Sequence, residues 1–181
     1  MKLIKINDLN FKKIDINDYK TNVFVDFKNT WALATAGTLE DHNTLTIGWG
    51  SLGVLWRKNV CTIYVRGSRH TYNYLEKSDY FTVSFYDKDI KENFEGLRIY
   101  GTLSGRDNNK DELTRFTPIK IDGGISYSQA NTIIVCKKIY ADEFKPNLFL
   151  DDGVKEFYEK TKEDPTYHHY YIGEIIGIYQ K

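Results

Sequence analysis

Seven short runs rich in β-branched and aromatic residues, each bounded by turn signals, constrain this chain more than any other feature. They are Val23–Phe27, Trp31–Ala36, Leu45–Gly48, Val60–Val65, Tyr80–Phe85, Thr132–Tyr140 and Tyr170–Tyr179. The helical candidates between them are brief. "SRHTYNYLEKS" offers Ser68 as an N-cap, with Tyr72 and Leu75 on one face. "DKDIKENFEGL" starts at Asp87 and stops near Gly96, and "DDGVKEFYEKTKEDP" gives one more helix before Pro165. Many strands with a few short helices point to an antiparallel barrel or sandwich rather than a doubly wound sheet.

Length fits this reading, since 181 residues make one domain, spanning 1–181, with a core that folds without staples. With 25 basic and 25 acidic side chains the formal net charge is zero, which removes the electrostatic reason to propose nucleic acid or an anionic membrane as a partner. No apolar run approaches the roughly 20 residues that span a bilayer. The N-terminus, "MKLIKINDLNFKK", lacks an apolar signal core, so a cytoplasmic protein is expected. Cys61 and Cys136 sit alone inside apolar runs and read as buried thiols, with neither disulfide nor zinc spacing.

Four segments carry candidate chemistry. "NTLTIGWGSLGVLW", Asn43 to Trp56, sets three glycines, three hydroxyl residues and an asparagine beside two tryptophans. Backbone amides, threonine hydroxyls and an asparagine amide can converge on a phosphate, and Gly48 and Gly50 would let a flat aromatic ligand lie on the backbone. A hairpin with cross-strand threonine pairs and glycine bulges fits the same composition. In "VRGSRHTYNYLEKSDYF", Arg66, Ser68, Arg69 and Thr71 cluster where a helix begins, which makes either an anion site or a solvated, well-capped turn. In "GTLSGRDNNKDEL", Ser104, Arg106 and Lys110 bring donors and positive charge to a glycine loop, with Asp107 as a cap for the helix that follows. Small donors and cations, without a nucleophile arrangement, suggest an aromatic ligand carrying a phosphate. Neither a GxGxxG after the first strand, a P-loop nor a GxSxG elbow is present. In "YHHYYIGEI", adjacent His168 and His169 on a strand point to opposite faces and do not share a metal; no metal site is expected.

Together these segments resemble the flavin reductase-like, FMN-binding split-barrel family, the group that includes flavoredoxin. The resemblance rests on N-T-x-T-x-x-W-G from Asn43, V-R-x-x-R-x-T from Val65, and S-G-R-D from Ser104, and runs from about Trp31 to the C-terminus. It implies a six-stranded antiparallel Greek-key barrel, mainly β with short helices, and a homodimer binding FMN noncovalently near the subunit interface. By motif, Asn43, Thr44, Leu45 and Thr46 would meet the flavin ring and ribityl chain. Arg66, Ser68, Arg69 and Thr71 would lie toward the phosphate end, and Ser104, Arg106 and Lys110 would come from the third loop. His168 matches a histidine that family members often carry before the last strand, and its charge could change near physiological pH. His169 stands where relatives often have arginine. The implied activity is an NAD(P)H-dependent flavin reductase-like oxidoreductase passing electrons through FMN to free flavin or another acceptor. A flavin-binding electron carrier with little nicotinamide activity is the alternative.

Overall fold

A computed structural model describes residues 9–161 and 164–181. Its elements in chain order are β1 (Lys12–Ile14), α1 (Val23–Val25), β2 (Ala32–Gly37), β3 (His42–Ile47), β4 (Gly50–Leu55), β5 (Lys58–Arg66), α2 (His70–Lys77) and β6 (Tyr80–Phe85). There follow α3 (Lys91–Thr102), α4 (Lys110–Thr114), β7 (Pro118–Ile121), β8 (Gly124–Tyr127), β9 (Thr132–Glu143), α5 (Asp152–Lys160) and β10 (His168–Gln180). The expected class, mainly antiparallel β with short helices, is what forms.

The sheet runs β3-β2-β6-β9-β10-β5-β4, with β1 added to β10 and a separate β7–β8 hairpin. That makes eight strands in the main sheet, against the six of the family barrel. The sheet is curled: Ile47 of β3 and Val65 of β5, from opposite ends of the order, share one buried cluster with Ala34, Val83 and Ile134. Among the described residues no ladder joins β3 to β4, so the barrel stays split along that seam. Alternation along β2 explains why five of its residues are buried. Ala32, Ala34 and Ala36 face the inner cluster, while Leu33 joins Tyr100, Phe116, Tyr127 and Ile133 in a second cluster on the other face. Cys61 and Cys136 are free and buried in the inner cluster, as expected of isolated thiols.

Several boundaries depart from the sequence reading for identifiable reasons. Val23–Phe27 is not a strand. Asn22 caps a helical turn there by accepting from the Val25 amide (3.3 Å), and the chain continues as a wide turn over Asp26–Thr30. With Phe24 85% exposed and only Phe27 buried, that run has no sheet face to fill. Strand β4 was hidden by its Gly-Ser composition; it is an edge strand held by its ladder, with Gly53 opposite Val60. Its hairpin turns on Trp56 and Arg57, both left-handed (φ 51° and 62°), without the glycine that usually signals such a turn. The β7–β8 hairpin turns on Asp122-Gly123 (φ 42° and 89°), a signal that the sequence does carry.

Helix α3 starts four residues after Asp87 and runs past Gly96, which is inside it rather than at its end. The glycine is needed there because a Cβ would meet the Phe116 ring at 2.6 Å. Helix α4 is capped by Asn109, whose side chain accepts from the Glu112 amide (3.3 Å), not by Asp107. Helix α5 forms where expected, with Asp151 accepting from the Val154 amide (2.9 Å).

A residue with a Cβ in the left-handed region costs roughly 1–2 kcal/mol. Arg57→Gly is therefore expected to stabilise the fold by up to about 1 kcal/mol after the extra entropy of the unfolded glycine. Equilibrium urea unfolding measures this, and a lower midpoint in the variant would contradict the turn assignment.

Candidate functional site

Strand β3, the start of α2 and the loop between α3 and α4 converge at one end of the sheet. Asn43 ties them together. It is buried on β3, and its amide oxygen accepts from Thr71 Oγ1 (2.7 Å) in the first turn of α2. A Cβ at Gly105 would fall 2.0 Å from the Asn43 amide nitrogen, so the third loop needs glycine to close against this side chain.

The convergence leaves a cavity of about 530 Å³. Of the residues singled out in the sequence, Asn43, Leu45, Thr46, Ser68, Arg69, Thr71, Ser104, Arg106 and Lys110 line it. A second cavity, about 350 Å³, shares Leu45, Thr46 and Arg69 with the first and adds Gly48, Trp49, Arg66, Phe157 and His168. One end of this region is thus polar and cationic. The other is walled by aromatic rings, His168 lying 4.5 Å from Trp49 between centroids.

Not every predicted donor points into this space. Thr44 lines neither of these cavities: its hydroxyl is bound to Thr35 Oγ1 (3.0 Å) and Tyr127 OH (2.8 Å) on the other face. Thr46 donates its hydroxyl to the Leu97 carbonyl (2.5 Å), fixing β3 to α3. The glycine at position 50 serves packing, since a Cβ there would strike the Phe27 ring at 2.3 Å. Ser104 accepts from the Arg106 amide (3.2 Å) and so shapes its own loop. Lys110 is buried, donates to the Thr44 carbonyl and lies over the Tyr100 ring (5.4 Å). Burial lowers its pKa to about 8, helped by nearby Arg69 and opposed by Asp111.

Arg66 and Ser68 are committed to Asp164, a residue that sequence reasoning missed. Ser68 Oγ donates to the Asp164 carboxylate (2.5 Å), Arg66 pairs with it (3.3 Å), and Thr166 adds a backbone donor (3.2 Å). Arg66 also donates to Thr161 Oγ1 (3.0 Å) and lies over the Tyr158 ring (5.4 Å). Burial alone would raise the Asp164 pKa, but the Ser68, Thr166 and Arg66 hydrogen bonds prevail and hold it at about 2. The N-cap position of α2 accordingly falls on Arg69, and no side chain caps it. Arg69 and Arg106 remain exposed and make no ion pair among the described residues.

The two histidines diverge as the strand pattern requires. His169 faces Glu143 (3.5 Å) and the Tyr72 ring. His168 Nδ1 meets Tyr158 OH at 2.9 Å. Burial, then Arg66 and Arg69, lowers the His168 pKa to about 4, so it is neutral at physiological pH and does not switch there, contrary to the sequence expectation. Tyr158, Trp49 and Phe157 were also missed as site residues; the aromatic run was visible, but the turn of chain that brings α5 against β10 was not.

No protein-family model and no curated protein matches this sequence. Solved structures do. Flavoredoxin from Methanosarcina acetivorans is similar at TM-score 0.63 and 22% identity, over 94% of this chain and 76% of that one. An FMN-binding domain of a flavin reductases-like enzyme from Shewanella baltica gives 0.64 and 15%, over 94% and 77%. The NADH:FAD oxidoreductase of Streptomyces globisporus, in complex with NAD and FAD fragments, gives 0.60 and 16%, over 88% and 79%. The fold of this chain is that of the flavin reductase-like, FMN-binding split barrels.

A lowered histidine pKa means that the unfolded chain binds a proton more readily than the fold does. The stability tied to neutral His168 is therefore complete above pH 6.5 and lost as pH falls from 6.5 toward 4. His168→Gln should flatten that limb of a melting-temperature profile while leaving the lower window near pH 2–4, where Asp164 titrates, in place. A variant profile parallel to that of the native protein between pH 6.5 and 4 would show that His168 is not held neutral.

Proposed function

We propose that this chain binds FMN and acts as an oxidoreductase of the flavin reductase type, using NAD(P)H to reduce free flavin or another acceptor. The carrying observation is the pair of joined cavities: one lined by Arg69 and Arg106, which make no ion pair among the described residues, the other floored by β3 and walled by Trp49, Phe157 and His168. That is the form of a ligand with an anion at one end and a flat ring at the other. The donor set fits the group. His70 Nδ1, buried and without a hydrogen-bond partner, belongs to a residue lining the same polar cavity, and Arg106 and Lys110 stand close enough to lower its pKa after burial does. Similar solved structures are described as FMN-binding or as acting on NADH and FAD, which supports the same reading.

When bound, FMN supplies the hydride chemistry. Arg69 and Arg106 would hold its phosphate, while Asn43 and Thr71 fix β3 against the start of α2. Lys110 positions that strand through the Thr44 carbonyl rather than gripping the phosphate. Tyr158, whose pKa is raised mainly by burial, keeps its proton and lies within hydrogen-bond distance of His168 Nδ1. With Tyr158 as the donor of that bond, His168 is the Nε2–H tautomer, a fixed hydrogen-bond donor instead of an acid. A single domain, a homodimer and a cytoplasmic location complete the proposal; two free, buried thiols suit a reducing compartment. The carrier alternative draws on His169, which Glu143 engages where a nicotinamide phosphate would want a free cation.

Charge-assisted hydrogen bonds are worth about 1.5–3 kcal/mol, so losing one weakens binding roughly ten- to a hundredfold. Arg106→Ala should do this to FMN and much less to riboflavin, which lacks the phosphate, as read by flavin fluorescence titration. Lys110→Met should weaken both ligands alike. No saturable FMN binding at high micromolar concentration would overturn the proposal. Steady oxidation of NADH or NADPH by the loaded protein, with riboflavin as acceptor, separates the reductase from the carrier.

A further inference from the structure

The largest cavity described, about 800 Å³, is not the polar one. It lies on the far side of Trp49 and Phe157, which wall both it and the ring end of the candidate site. Its other walls are the end of β9 (Asp142 and Glu143) with Phe144, Lys145, Leu148 and Phe149 after it, the first turns of α5, and Tyr170 of β10.

The chemistry of these walls is narrow. Phe149 stacks on Tyr158 (5.3 Å, 27°) and Phe144 on Tyr64 (5.7 Å, 19°), which fixes flat aromatic faces along the space. Leu148 is 64% exposed, and Trp49, Val154 and Phe157 are each nearly half exposed, so apolar surface is left uncovered there. The ionic groups at the rim are three carboxylates, Asp142, Glu143 and Asp151, against one ammonium, Lys145. Each already has a partner: Asp142 pairs with Lys145 (3.6 Å), Glu143 with His169 (3.5 Å), and Asp151 caps α5 (2.9 Å). The guanidinium of Arg66 lies over Phe157 and Tyr158 and is bound to Asp164. Among the described residues a ligand here finds stacking surface and no free cation, and the acidic rim disfavours anions. The volume falls within the range of small-molecule sites.

We propose that this cavity binds an uncharged, flat aromatic molecule of about bicyclic size, of the naphthoquinone class. On the flavin reading above, on which only this role rests, it is the site of the electron acceptor, adjoining the ring across Trp49 and Phe157. The balance is that of quinone to hydroquinone: NAD(P)H gives two electrons and one proton, and water gives the second proton. The acidic rim selects against sulfonated or phosphorylated acceptors.

The test is calorimetric titration of the purified chain, with and without FMN, using menadione and 1,4-naphthoquinone-2-sulfonate as probes. Menadione should bind with or without FMN, and the sulfonate at least tenfold more weakly. Leu148→Glu and Val154→Glu, both at exposed positions outside the polar cavity, should each weaken menadione at least tenfold and leave FMN affinity unchanged. Circular dichroism checks their folding, and if one fails the other decides. The proposal is overturned by equal affinity for the two probes, or by menadione binding that neither substitution changes. It is overturned also if menadione does not bind; a dimer in sedimentation that Leu148→Glu dissociates would then show that a second copy covers the cavity. Binding of menadione without binding of FMN would refute the flavin reading and leave the cavity assignment standing.

Discussion

Asp111 accepts hydrogen bonds from Tyr100 and Tyr127, each at 2.8 Å, and faces His42 Nε2 at 2.9 Å. Those partners come from α3, β8 and β3, while Asp111 itself is on α4. Tyr127 continues the chain to Thr44 and thence to Thr35 on β2. Burial on its own would raise the Asp111 pKa, but these three donors lower it, and His42 is raised in turn by the same contact against the effect of its burial. A carboxylate with that many donors is satisfied only when all four elements are in place, because removing one leaves a buried polar group unpaired. Strand β3 is an edge strand, and an edge carrying a binding surface must be held from behind. This network holds it, and the site on its front depends on that.

The same arrangement explains the division of labour among the hydroxyl residues of β3. Neighbouring side chains alternate between faces. His42 and Thr44 serve the fastening to Asp111 and Tyr127, Asn43 and Leu45 serve the cavity, and Thr46 does both, lining the cavity while its hydroxyl ties β3 to α3. A motif read as one continuous set of ligands is therefore two interleaved sets that meet at Thr46, one fastening the strand and one facing the cavity. That is why Thr44 reads as a ligand in sequence while its hydroxyl is engaged by Thr35 and Tyr127 on the opposite face.

Much of the fold was legible because β-branched runs with firm turns leave few alternatives. The seven runs marked as strands include six that are strands, and nine residues lining the polar cavity, drawn from three separate segments, were among those singled out in the sequence. What was hidden has a common physical origin. Strand β4 is held by backbone pairing that composition does not report, and its turn uses left-handed Trp56 and Arg57 instead of glycine. Val23–Phe27 has the composition of a strand, but its Asn22 cap and the absence of a partner decide for a helical turn. Asp164, Tyr158 and Phe157 act through long-range contacts with Arg66 and His168, and such partners are fixed by topology, not by local pattern.

Asp164 shows how far that hidden layer shapes the chemistry. Donors clustered at a strand-to-helix turn would serve any anion, and the sequence offers Arg66, Ser68 and Arg69 as equivalents. The fold makes them unequal. Its own carboxylate takes Ser68 and Arg66, with the guanidinium further anchored over Phe157 and Tyr158. A charge neutralised in this way contributes little attraction to an anion, so among the described residues the exposed cations lining the polar cavity are Arg69 and Arg106. The bound pair gains a different use. Arg66 and the aromatic residues it covers form the wall against which His168 is buried, and Arg66, next after that burial, keeps the imidazole uncharged. One ion pair thus withdraws positive charge from the anion end and fixes the protonation state at the ring end.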